Sequence, residues 1–370
     1  MLQQRKDIKS NTNQQSAISL DKIAQLVTNQ SKLDKRAKKK ALTNAVNIPL
    51  MRYAEAIQDN KVKYYRAYTC GQKLTQLGNK ISYQRLCNNR SCTTCSAIRT
   101  AKLIKKYEKP IKEMQNPMFI TLTRQSVYAD ELEPTIEEMN KAFKRLVRNL
   151  QKTYGIKLIA MRKLESQYKY VGDAEYTYNP HFHIVADMLP CQALLLKSLW
   201  LNQWSCEIAD PDAQQIKKAD EGTLLELFKY NVKPITTNKK GKFSPEALHV
   251  IYSSLFRKRC IQGYGIRAEK ITKEEEEEAE TLQASDFKLE EYSFNGLNYS
   301  TANGDMLTNF QPTAKDWRFF AITNYDPKLI TIYNEEQDSI YRQHKHNKTH
   351  RDVIQMYVEG KGENITILQT

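Results

Sequence analysis

No stretch of about 18 consecutive apolar residues occurs in this 370-residue chain, so a transmembrane helix is not expected. The opening segment, MLQQRKDIKSNTNQQSAISL, lacks the apolar core of a signal peptide. No internal repeat is visible, which sets aside repeat architectures. Cysteine is sparse and odd in number, seven in all, with four in one spaced cluster. That usage does not suit a disulfide framework and suits metal binding in a reducing compartment. The expectation is an intracellular protein without a membrane segment. Hydrophobic content of 40% is slightly low but can build a core, and the length allows two or three domains.

Outside one segment, acidic charge is outnumbered by basic charge. The net charge is +15, yet residues 268–293 carry −7, leaving +22 on the rest of the chain. A field of that sign favours a polyanion, most simply nucleic acid. A basic protein with a merely solvated surface would show the same total.

Along the chain, residues 1–60 are rich in Lys, Gln and Asn, with a basic run from Lys35 to Lys40. They read as a flexible or loosely helical arm. Residues 61–110 form a cysteine module and residues 111–267 the main domain. Residues 268–293 read as an acidic linker, and 294–370 as a small extra module. Within the main domain, strands are expected at 117–123, 157–168, 181–188 and near 213–218. Helices are expected at 133–155, ending at Gly155, at 190–204, at 221–232, and from Pro245 with Ser244 as N-cap.

Cys70, Cys87, Cys92 and Cys95 have the spacing C-x16-C-x4-C-x2-C. The closing Cys-x-x-Cys can hold one ion, and two more thiolates complete a tetrahedron, so a structural Zn2+ site is expected. Reduced, unligated cysteines are the alternative. Cys191, Cys206 and Cys260 read as small core residues. HKHNKTH, with His344, His346 and His350, reads as an exposed basic loop.

The densest chemical signal is NPHFHIVADM. Side chains two apart on a strand share a face, so His181 and His183 aim at one point while Phe182 turns to the other side. Spacing alone also fits one core histidine and one exposed one. Glu165, in MRKLESQY, can reach the same ion if its strand is an antiparallel neighbour. Two imidazoles and a carboxylate with open positions suit Mg2+ or Mn2+ acting on a phosphate. Downstream, ELFKYNVKP holds Tyr230, whose phenolate can attack a phosphodiester. Glu226 lies four residues earlier on the same helical face and can activate a water. Lys229 or Lys233 can hold the nucleic-acid backbone. Each of these is also an ordinary surface or structural residue when taken singly.

Taken in order, FITLT, LE, HFHIV and ExxKYxxK behind a cysteine cluster resemble the replication initiators of small rolling-circle plasmids, a branch of the HUH endonucleases. The resemblance covers roughly residues 65–267. It implies an α+β fold with an antiparallel, RRM/ferredoxin-like HUH nuclease sheet of about five strands and helices packed mainly on one face. The histidine pair is then expected on the helix-bearing face. It implies nicking of one origin strand by Tyr230 through a 5′-phosphotyrosine, with Lys233 in the same motif. Glu226 assists termination. Origin DNA, double-stranded and as a single-stranded hairpin, is the implied partner, with host helicase and polymerase, in the bacterial cytoplasm. Single-strand transposases and relaxases share parts of this pattern. A zinc-containing DNA-binding protein without enzymatic activity is a rival of another class.

Overall fold

The computed structural model describes residues 20–172, 175–220, 227, 243–267 and 282–330. The core of the fold is a five-stranded antiparallel sheet. Its strands are β2 (Pro117–Thr123), β3 (Ala160–Gly172), β4 (Glu175–Asp187), β5 (Gln215–Lys218) and β6 (Ile261–Tyr264), in the order β5-β2-β4-β3-β6. The strand expected at 157–168 begins at Ala160 and runs on to Gly172.

Alternation sorts the side chains of this sheet. Ile120, Leu122, Leu164, Phe182 and Ile184 all point to one face and are fully buried. Three helices cover that face: α4 (Leu132–Tyr154), α5 (Pro190–Leu201) and α6 (Pro245–Ser254). On α4 the apolar residues Leu132, Ile136, Met139, Phe143, Leu146 and Leu150 recur at three and four, which makes one buried stripe. Gly155 ends the helix at φ 67°, a left-handed conformation that glycine adopts at little cost. At the start of α6 the Ser244 side chain accepts a bond from the Ala247 amide, with Pro245 next in line.

Among the described residues, the other face has a lighter helical cover. There the second half of α3 (Thr93–Lys112) brings Leu103, Ile104, Tyr107 and Ile111 to Phe119, Met161 and Val185. The expectation of helices mainly on one face therefore describes α4, α5 and α6. The expectation that the histidines share that face does not hold, because their parity is opposite to that of Phe182. Phe182 is the larger apolar payload, so it is Phe182 that the helical layer buries.

Three other segments differ from their reading in the sequence. Residues 20–56, taken as an arm, form the 37-residue helix α1 (Leu20–Ala56). Leu33, Ala37, Ala41 and Ala45 make a buried stripe along it at a spacing of four. Small side chains there let α2 (Val62–Thr69), α3 and α6 approach closely. The flanking lysines hid this stripe. Residues 282–294, taken as acidic linker and module start, form β7 (Leu282–Phe294). It pairs antiparallel with β1 (Lys73–Tyr83) in a three-stranded sheet completed by β8 (Tyr299–Ser300). The acidity is matched across the ladder, where Lys73 Nζ lies 2.5 Å from Glu291 Oε1. The chain beyond β7, including α7 (Ala314–Thr323), packs back on α1, so this part is joined to the cysteine module rather than set apart. Finally, Cys191 and Cys206 are exposed, and only Cys260 of the three is a core residue.

A test of α1 as core follows. Ala41→Asp puts an unpaired carboxylate into the stripe and is expected to destabilise the chain by more than about 3 kcal/mol, read from chemical denaturation. A change below about 0.5 kcal/mol would fit a solvated arm instead.

Candidate functional site

The antiparallel register assembles the site. Glu165 on β3 lies directly opposite His181 on β4, and Lys163 opposite His183. On the other side, Thr123 and Thr121 of β2 face the same two histidines. Glu165 Oε2 lies 3.4 Å from His181 Nε2 and 3.2 Å from His183 Nε2. His181 Nδ1 is 3.0 Å from the carbonyl of Asn179, so the ring hydrogen belongs on Nδ1 and a neutral ring presents its Nε2 lone pair to the site. His183 Nδ1 meets Thr121 Oγ1 at 3.2 Å, and its ring stacks on Phe119 with centroids 5.3 Å apart. Fixing one ring nitrogen in order to aim the other is how metal-ligating histidines are held.

Glu165 is 3% exposed, and its Oε2 makes no hydrogen bond among the described residues. The Nε2 atoms of both rings and one carboxylate oxygen thus meet at one spot. The three donor atoms lie within 4.8 Å of one another. Burial alone would raise the carboxyl pKa. Interaction with the His181 and His183 rings, together with the Lys163 ammonium 2.5 Å from Oε1, outweighs this and holds Glu165 well below the usual carboxylate range. The donor set, one oxygen and two nitrogens, fits a divalent ion.

A second cluster lies at the junction of α2, β1 and α3. Cys70 follows α2, Cys87 follows β1, Cys92 caps α3 and Cys95 lies in its first turn. Their sulfurs lie within 4.8 Å of one another, with Cys70–Cys95 at 3.4 Å and Cys87–Cys95 at 3.7 Å. A disulfide needs about 2.05 Å, whereas four sulfurs about 2.3 Å from a central Zn2+ stand slightly under 4 Å apart. All four cysteines are free. Each sulfur also faces a backbone amide: Cys87 N to Cys70, Asn89 N to Cys87, Cys95 N to Cys92 and Asn88 N to Cys95, at 3.3–3.4 Å. Such amides stabilise thiolates. Beneath the cluster, Lys40 of α1 is fully buried and donates to the Tyr68 carbonyl. Burial pulls its ammonium down to about 8 against the opposing pull of the four sulfurs. A buried cation here offsets the charge of a tetrathiolate.

The structure thus brings together Glu165, His181 and His183, and separately the four cysteines. Glu226, Lys229, Tyr230 and Lys233 lie outside the described residues, as do His344, His346, His350 and the helix expected at 221–232 apart from Leu227. Four contributors were not singled out from sequence. Lys163 shares the face of Glu165 by simple alternation, a signal that was present. Thr121 and the exposed Lys217 of β5 join the face only once register is known. Lys40 was hidden in a basic run.

The comparisons agree on one family. The model of the replication-protein family, Rep_1, matches residues 78–303, well over half of the chain. A protein of Staphylococcus aureus named Protein rep is 29% identical over 163 residues, 40% of this chain and 69% of its own length. Proteins of the same name from Streptococcus pneumoniae serotype 2 and Bacillus amyloliquefaciens are each 26% identical. The first covers 56% of this chain and 63% of its own length, the second 53% and 66%. The chain therefore spans about two thirds of the length of these relatives. No solved structure matches. The family match runs to residue 303 and so takes in β7, which lies beyond the resemblance read from the motifs.

The two clusters are expected to be separable by elemental analysis. The purified chain should hold about one tightly bound zinc. His181→Ala combined with His183→Ala should keep that zinc and lose binding of a second divalent ion. Cys92→Ser should lose the zinc and lower the unfolding temperature. Zinc content unchanged by Cys92→Ser would overturn the cysteine assignment.

Proposed function

The chain belongs to the replication-protein family, and from that premise we propose that it initiates rolling-circle replication of a plasmid by nicking one strand of its origin. The observation that carries this reading is the buried Glu165 carboxylate, whose Oε2 faces the Nε2 atoms of His181 and His183. Glu165, His181 and His183 would hold Mg2+ or Mn2+, which supplies charge withdrawal from a scissile phosphate. Cys70, Cys87, Cys92 and Cys95 would hold Zn2+ as structure.

The covalent step falls to Tyr230. Its phenol oxygen attacks phosphorus, the bond to the 3′ oxygen breaks, and that oxygen leaves with the electron pair and takes up a proton. The products are a 5′-phosphotyrosine and a free 3′ hydroxyl, the end a host polymerase extends behind a host helicase. Glu226 takes a proton from the water that later attacks the phosphotyrosine, and Lys233 meets phosphate charge. Of residues 221–242, Leu227 is the one described. Leu227 is fully buried against the apolar group of Phe119, Met161 and Val185, on the face that bears the histidines.

Surface charge supports nucleic acid as the substrate. Lys217 on β5 is exposed and stands 5.4 Å from the centroid of the Phe119 ring, the same ring that stacks on His183. Lys105 and Lys109 are exposed on α3, whose second half covers part of the same face. A cytoplasmic location in a bacterium fits this role. No helix among the described residues is long and apolar enough to cross a membrane.

Two substitutions separate the proposed roles. Tyr230→Phe is expected to bind origin DNA yet give no nick and no covalent adduct. Glu226→Gln is expected to nick and to accumulate the adduct, because attack does not need the base and hydrolysis does. Peptide mapping of the adduct decides: label on Tyr252 or Tyr264 would refute the assignment to Tyr230. Supercoiled plasmid left closed by the wild-type chain with Mn2+ would support a binding protein without nicking activity.

Affinity for origin DNA should also fall steeply between low and high salt, as release of counterions from phosphates requires. Equal affinity at both would contradict phosphate contact as the main term.

A further inference from the structure

Lys163 is a lysine with no exposed surface, inside a site proposed to bind a cation. It lies two residues before Glu165 on β3, on the same face, with His183 opposite it on β4 and Ile261 opposite it on β6. Its Nζ lies 2.5 Å from Glu165 Oε1. The other oxygen, Oε2, faces both imidazole Nε2 atoms. The two oxygens of one carboxylate therefore have different neighbours. Being fully buried, the Lys163 ammonium lies beside the carboxylate and away from bulk solvent.

We propose that Lys163 is a positioning residue for the catalytic ion: it occupies Glu165 Oε1, so that the carboxylate offers the ion a single oxygen and the protein ligands carry no net charge. The proposal rests on reading Glu165, His181 and His183 as metal ligands.

Two consequences follow from elementary charge and geometry. Carboxylates bind hard cations through one oxygen or through both. With Oε1 held by an ammonium, the two-oxygen mode is closed, and directions around the ion stay open for phosphate oxygens. The charge balance matters as well. Two neutral imidazoles, one carboxylate and one ammonium sum to zero, so a divalent ion keeps its full charge toward the phosphate. Without the ammonium, the carboxylate would neutralise half of that charge. The ion would bind more firmly and polarise the phosphate less. Lys163 thus trades affinity for the ion against strength of the ion as a Lewis acid.

The test measures Mn2+ binding and nicking separately, on the full chain. Mn2+ affinity is read by electron paramagnetic resonance of the free ion. Nicking is read on a single-stranded oligonucleotide that spans the nick site of the chain's own origin, at saturating Mn2+. Lys163→Met keeps much of the side-chain volume and removes the charge and the donor. It is expected to bind Mn2+ as tightly as wild type or up to about tenfold tighter, while kcat falls by at least about tenfold and KM for DNA changes by less than about threefold. Lys163→Gln keeps a neutral donor toward Oε1 and is expected to fall between the two in kcat.

A Lys163→Met variant with kcat within about twofold of wild type would overturn the proposal. So would one that loses Mn2+ binding and nicking together while keeping its zinc and unfolding temperature, since the lysine would then only support the ligands. If both variants lose zinc and wild-type unfolding, the lysine holds the sheet rather than the ion, and the proposal fails. Failure of the underlying metal reading shows elsewhere: the wild-type chain would then bind no Mn2+ that is lost in His181→Ala with His183→Ala.

Discussion

The antiparallel pairing of β3 with β4 is the constraint from which the site derives. One register places Leu164 against Phe182 on the helical face and Glu165 against His181 on the other. Because side chains alternate, a slip of one residue would turn the apolar set outward and the ligands inward together. Burial of Phe182 and Leu164 beneath α4 and α5 is worth roughly 1.5–3 kcal/mol for each side chain. A slipped register forfeits that gain. Packing on one face therefore aims the chemistry on the opposite face, although no residue of the helical layer has to touch it.

A single helix connects this sheet to the cysteine cluster. Cys92 caps α3 with its sulfur accepting the Cys95 amide, and the far end of the same helix packs Ile111 against the apolar group beside the histidines. The position of α3 over the sheet is thus set at one end by the cysteines and at the other by Phe119 and Met161. Lys40 and Thr43 of α1 support the cysteine end, Thr43 Oγ1 accepting the Thr93 amide at 3.0 Å. The long first helix is in this way part of the scaffold of a face it does not line.

Much of this arrangement was legible in the sequence, for physical reasons that differ by element. PMFITLT and HFHIVAD declare themselves because an apolar strand buried on its helical side leaves a continuous run. The stripe on α4 declares itself by period, and α6 by its cap. The grouping of two histidines with Glu165 rested on alternation plus an assumed antiparallel neighbour, and the four-cysteine group on spacing. What stayed hidden depended on pairing across long separations. β1 and β7 set a few buried apolar residues, Leu74, Ile81, Tyr292 and Phe294, among polar neighbours, so neither carries a strong apolar signal. Glu291 was read as part of an acidic linker because its partner Lys73 lies 218 residues away. The alanine stripe of α1 is quiet on hydropathy and loud only in packing. Which face a helix layer covers is likewise absent from strand parity, which says only what shares a side.

The ladder between β1 and β7 also sets an order of events while the chain is being made. Lys73 emerges from the ribosome long before its partner Ser293. At roughly 5–20 residues per second the roughly 200 intervening residues take about 10–40 s to synthesise. For most of that interval α1, α2 and all four cysteines are outside while β1 lacks its strand partner. The thiolates are then at their most accessible to an ion, and the bare edge at its most open to a wrong partner. Early metal capture by the nascent chain would hold β1 in place until the last strand arrives.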